Sequence, residues 1–205
     1  MVTGAVHIID YGMGNLRSVQ KAFEHLGTPA IVCQTPAEAQ GAERLVLPGV
    51  GAFRDAIREL ERLDFVGLIR DHIAADRPFL GICLGLQLLF DVSYEGGEYA
   101  GLGILPGKVV RFQSAPDLKI PHMGWNTIEP SRLNALTESL PRPASVYFVH
   151  SYYVVPDDPA LVAETTEHGT RFTAMVSRGN LFAAQFHPEK SQQTGLKLLE
   201  GFTKL

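Results

Sequence analysis

Apolar residues recur along this chain in two rhythms. Short apolar runs at 5–9, 30–33, 45–47 and 79–83 are bounded by Gly, Pro or Asp and read as buried strands. Between them the spacing stretches to three and four. Leu16, Val19, Phe23 and Leu26 share one helical face, with Asn15 placed to cap its start and Gly27 to end it. Phe53, Ile57, Leu60 and Leu63 mark a second such face, and a helix over 84–91 follows directly on the strand at 79–83. This alternation predicts an α/β fold with a mostly parallel sheet flanked by helices. The second half changes character. Segments 109–112, 146–155, 172–176 and 181–186 are strand-like with few helices between them, which predicts a mixed or antiparallel extension of the sheet. A helix over 192–202, apolar at Leu196, Leu199 and Phe202, closes the chain.

Composition narrows the class. The chain has 205 residues, 45% hydrophobic and 20% charged, enough for one domain over 1–205 with a real core. A net charge of -4 supplies no basic footprint for nucleic acid and no polybasic face for a membrane. No apolar stretch reaches the ~20 residues that span a bilayer, and the N-terminus carries no positively charged leader, so a cytoplasmic protein is expected. Two cysteines, Cys33 and Cys83, cannot build a disulfide framework or a zinc ribbon. No metal site and no cofactor are expected. Gly12-Met13-Gly14 follows a strand as a dinucleotide loop would, but Arg17 stands where the third glycine belongs.

Candidate chemistry begins at Gly81-Ile82-Cys83-Leu84-Gly85-Leu86-Gln87. A strand, a sharp turn and a helix with glycine two residues either side of a thiol is the sulfur version of the nucleophile elbow. Glycine removes the clashes that a strained turn would create between strand and helix. The turn sets the thiol at a helix N-terminus, where free N–H groups favour a thiolate and can bind an oxyanion, Leu84 first. A cysteine ending a buried strand is otherwise a small core hydrophobe, so the assignment requires a base. His187-Pro188-Glu189 follows the strand at 181–186. In an extended segment residues two apart point to the same side, and Pro188 stiffens it, so Glu189 can hold one ring nitrogen while the other faces a thiol. Both segments leave strands at their carboxyl ends, where such groups meet in an α/β sheet. The other histidines lack this setting.

Together these motifs resemble the class I, or triad, glutamine amidotransferases. Within that class the closer likeness is to the glutaminase subunits of imidazole glycerol phosphate synthases. It is carried by Asp10-Tyr11-Gly12-Met13-Gly14-Asn15, Leu47-Pro48-Gly49-Val50-Gly51-Ala52-Phe53, Pro121-His122-Met123-Gly124-Trp125-Asn126, Phe148-Val149-His150-Ser151-Tyr152-Tyr153 and Gln185-Phe186-His187-Pro188-Glu189-Lys190-Ser191. The resemblance implies an amidotransferase-like, flavodoxin-like fold and a Cys83–His187–Glu189 triad acting on glutamine through a thioester. It implies an oxyanion hole from Leu84 and the Gly49-Val50-Gly51 strand, with Gln87, His150, Ser151 and Tyr152 holding the substrate. Asn15, Trp125 and Lys190 would lie towards a (β/α)₈-barrel cyclase, the partner in a heterodimer of histidine biosynthesis. Glycine on both sides of Val50 also allows a peptide there to turn over, so the hole could form only on the partner's signal. The alternative for Trp125, the single tryptophan, is that it fills core. Other triad amidotransferases, a cysteine hydrolase and a non-catalytic binding subunit are the competing readings. The hydrolase normally carries a His directly after the elbow Cys, where this chain has Leu84.

Overall fold

The computed structural model describes residues 4–116 and 118–205. In chain order it runs β1 (Val6–Ile9), α1 (Leu16–His25), β2 (Ala30–Cys33), β3 (Arg44–Gly49), α2 (Phe53–Arg62), α3 (Phe65–Ala74), β4 (Phe79–Cys83) and α4 (Leu84–Gln87). Then follow β5 (Phe90–Ser93), β6 (Tyr99–Ala100), β7 (Leu105–Arg111), β8 (His122–Pro130), β9 (Ala144–His150), β10 (Tyr152–Pro156), β11 (Val162–His168), β12 (Thr170–Arg178), β13 (Leu181–Ala184) and α5 (Gln192–Thr203). Nine strands form one sheet in the order β2-β1-β3-β4-β13-β12-β11-β8-β9. The first five are parallel and the rest antiparallel, which is the mixed extension the pattern predicts. A second sheet, β10-β7-β5-β6, packs beside it.

Strand alternation sends side chains to both faces of the large sheet. Val46, Leu80 and Ile82 join Val19 and Phe23 of α1 and Leu198, Leu199 and Phe202 of α5 in one core. Leu45, Leu47 and Phe79 join Phe53, Ala56 and Leu60 of α2 and Phe65 and Ile69 of α3 in the other. The parallel strands are therefore buried on both sides, as helices on two faces require. No helix among the described residues is long and apolar enough to cross a membrane.

Three expectations fail in detail. The helix predicted over 84–91 stops at Gln87, and Phe90–Ser93 is a strand. Leu88, Leu89 and Phe90 are all buried, so the segment has no solvent face, and the carbonyls of all three accept from amides between 102 and 105. The strand predicted over 146–155 is two strands in two sheets, broken at Ser151. Asn15 precedes α1 but makes no side-chain capping bond.

Candidate active site

β3, β4 and β13 run side by side and end together. Gly49 pairs with Cys83, and Ala184 pairs with Ile82. Their carboxyl ends bring the 49–51 loop, the elbow and the His187 segment to one edge, where α/β folds place their ligands.

The elbow is strained as its sequence demands. Cys83 has φ 55° and ψ −107°, a conformation that L side chains rarely adopt. A Cβ at Gly85 would collide with the Leu47 carbonyl oxygen, and one at Gly81 would crowd Ala183 and the Gly85 backbone. Both glycines are required by packing, so the expected reason for them holds. With only four residues, α4 contributes little dipole; what it offers Cys83 is local, the free N–H groups of its first turn.

His187 is buried, and its Nδ1 lies 2.8 Å from Glu189 Oε1. The carboxylate can only accept, so Nδ1 carries hydrogen and Nε2 is the nitrogen left to exchange a proton with the thiol. That Nε2 is buried without a hydrogen-bond partner of regular geometry, as is Glu189 Oε2. The geometry differs from the extended arm expected from sequence: Pro188–Lys190 forms a 3₁₀ turn, which curls Glu189 back under the ring. The His187 amide donates to the Tyr147 carbonyl, and the Ser191 hydroxyl donates to the His187 carbonyl, pinning the segment to β9. Burial alone pushes the imidazole down. Cys83 and Glu189 outweigh it and bring His187 up to about 9. Cys83 and His187 line the same cavity, and no hydrogen bond of regular geometry joins the sulfur to His187 Nε2.

A cavity of 430 Å³ opens over the thiol. Val50, Gly51, Cys83, Leu84, Gln87, His150, Ser151, Tyr152 and His187 line it, so nearly all residues expected at the substrate meet there. Gly49 lies behind this wall in a small pocket with Asn15, His187 and Glu189. His150 lines the cavity but has both ring nitrogens engaged, Nδ1 with the Tyr152 carbonyl and Nε2 with His122. Of the expected partner-facing residues, Asn15 is exposed, Lys190 is half-buried and Trp125 is 49% exposed, edge-on to Tyr147. Trp125 therefore does not fill the core. Met123, two residues earlier on β8, is 63% exposed.

The sequence reading missed Glu95, Pro121 and Val149, which also line the cavity. The Glu95 carboxylate accepts from the Phe53 amide at 2.8 Å, at the start of α2. Tyr11 was missed as well. Its hydroxyl is buried without a partner beside Gly49, and burial followed by charge on Cys83 pushes the phenol up. Only the Tyr-Gly turn after β1 hinted at it.

The family model described as glutamine amidotransferase class-I matches residues 7–204. The chain belongs to the class I glutamine amidotransferases. Among members of this family, a Syntrophotalea carbinolica protein named imidazole glycerol phosphate synthase subunit HisH is 56% identical over 200 residues, covering 95% of this chain and 97% of its own. The subunit of the same name from Salinibacter ruber is 53% identical over 203 residues, covering 97% and 93%. This amidotransferase is thus a member of the HisH subunits, whose name marks them as parts of a larger synthase. The solved structure described as PurLQS from Thermotoga maritima superposes with a TM-score of 0.77 at 18% identity, covering 98% of both chains. At that identity the likeness concerns the fold.

Proposed function

We propose that this chain is the glutaminase of an imidazole glycerol phosphate synthase. It hydrolyses glutamine at Cys83 and passes ammonia to a cyclase subunit in histidine biosynthesis. The observation that carries the reading is the strained Cys83 under a cavity it shares with His187, whose other nitrogen is held by Glu189.

The steps follow from that arrangement. The Cys83 sulfur attacks the side-chain amide carbon of glutamine, and the thiol proton resides on His187 Nε2. The carbonyl oxygen gains charge and is met by the N–H of Leu84 and by the backbone of the 49–51 loop. His187 gives its proton to the departing nitrogen, which leaves as ammonia, and a glutamyl thioester remains. Water then attacks the thioester with His187 as base, releasing glutamate and restoring the thiol. Gln87, His150, Ser151 and Tyr152 surround the substrate, His150 acting through the Tyr152 carbonyl it holds. Glu95 offers a carboxylate to the substrate ammonium.

The partner in this reading is a (β/α)₈-barrel cyclase that covers the face carrying Asn15, Trp125 and Lys190. The exposure of Trp125 and Met123 on one strand supports it, because large apolar side chains exposed together mark contact surfaces. Residues 1–205 act as one catalytic domain in the cytoplasm, with Cys33 and Cys83 as free thiols.

The experiment is to measure glutamine hydrolysis by the chain alone and with the cyclase and its nucleotide ligand. A low basal rate that rises roughly 10²-fold or more is expected, the size of effect that completing an oxyanion hole gives. A high basal rate that the partner leaves unchanged would sink the coupling.

A further inference from the structure

Gln185 sits between β13 and His187, is fully buried, and belongs to none of the groups assigned above. Its Nε2 lies 3.7 Å from Cys83 Sγ, and its Oε1 lies 3.0 Å from Gln87 Nε2. The orientation of the amide decides what the sulfur meets, and it follows from the surrounding partners. The Tyr152 carbonyl can only accept, and it lies 3.1 Å from the Gln87 amide, so that amide turns its nitrogen there. The second hydrogen on the same nitrogen points at Gln185, which must therefore present oxygen. Only the Nε2 of Gln185 is left to face the sulfur.

The same carbonyl is anchored from behind. His150 Nδ1 lies 2.8 Å from it and so carries hydrogen, which makes His150 Nε2 an acceptor. His122 Nδ1 donates to that nitrogen at 3.0 Å, and Asn126 Nδ2 donates to His122 Nε2 at 3.2 Å. Burial pushes His150 down to about 3 and His122 down to about 4, so both rings are neutral at physiological pH. The relay from Asn126 to Cys83 thus has one consistent set of hydrogens. The titratable groups that face the sulfur are His187, from the segment after β13, and Tyr11, after β1, and both are unchanged in the variants tested. The sulfur also lies 3.9 Å from the Val149 carbonyl, which can only accept and therefore favours the protonated thiol.

We propose that Gln185 is a positioning residue of the nucleophile: its Nε2–H donates to the Cys83 sulfur and stabilises the thiolate against the Val149 carbonyl. This rests on the reading of Cys83 as the nucleophile. The required readout is the ionisation of the sulfur, which a merely structural residue would not move.

The test is alkylation of the full chain by iodoacetamide across pH, followed at the Cys83 peptide by mass spectrometry. Cys33 is read separately; burial pushes its thiol up to about 11. Gln185→Leu removes the donor, and Gln185→Glu keeps the shape while setting a carboxylate against the sulfur. At pH 7 alkylation of Q185L is expected to slow roughly tenfold, the effect of losing one hydrogen bond to a charged group. Q185E slows further, and both reach the parent's rate at high pH. Should Q185L fail to fold, Q185E decides alone. Profiles that superimpose on the parent's overturn the proposal. So does a lowered plateau with no change in midpoint, because that is what a distorted pocket gives. Alkylation reads the thiolate and not turnover, so a negative result here leaves the glutaminase reading standing. That reading fails instead if Cys83→Ala retains glutamine-dependent synthesis.

Discussion

Replacing Cys83 with Ala is expected to abolish glutamine-dependent synthesis in the assembled complex and to leave ammonia-dependent synthesis intact. The loss should be at least ~10⁴-fold, because removing a nucleophile removes the covalent route while binding and the oxyanion donors remain. The second half of the result follows from the division of labour. The thiol lies at the end of β4 in this chain, and the acceptor chemistry belongs to the partner. The substitution removes one sulfur from a site 6% exposed and leaves the strained elbow in place, so the fold and the complex should survive it. Measuring both ammonia sources on one preparation separates chemistry from assembly. Equal loss of the two activities would contradict the assignment.

Glu189→Gln is expected to lower kcat/KM by about 10²–10⁴, in the range seen when a base loses its orienting carboxylate. An amide in place of the carboxylate can offer Nδ1 a donor, which favours the wrong tautomer and takes the base away from the thiol. It also removes one of the two groups that hold the His187 proton. In the native chain the imidazolium persists to about 9, so glutamine hydrolysis should fall on an alkaline limb centred there. The variant's limb should move towards neutral pH. Stability follows the same sign. The folded value lies above the ordinary 6.5, so the contribution from charged His187 is fully present below about 6.5 and lost as pH rises through about 9. An alkaline limb that Glu189→Gln leaves in place would show that another group sets it.

The parts of the site that could be read in the sequence are those whose causes are local. Gly81 and Gly85 flank Cys83 in a recognisable elbow spacing, although the atoms that exclude a side chain there, the Leu47 carbonyl and Ala183, come from β3 and β13. His187 and Glu189 sit two apart, so their partnership is written in one segment. Gln185 was illegible because its partners are Gln87 and Cys83, about a hundred residues away, and a glutamine after a strand has many uses. β8 escaped for a different reason. Its apolar residues Met123 and Trp125 face outward while His122 faces inward, so Ile128 alone gives it a buried apolar position. β11 hides likewise, since its buried Glu164 and Thr166 are polar. Arg142 holds the Glu164 carboxylate at 2.8 and 3.0 Å, and the Thr127 carbonyl accepts from the Thr166 hydroxyl. Binary patterning detects strands that bury apolar side chains, and these two bury satisfied polar ones.

The central claim is that Cys83 carries the glutamyl group. Its most direct test is to mix the assembled complex with glutamine, quench in acid within the first turnovers, and map the peptides by mass. A glutamyl adduct is expected on the Cys83 peptide, disappearing as glutamine is exhausted. Turnover with no adduct at Cys83, or with the label on another residue, would contradict it.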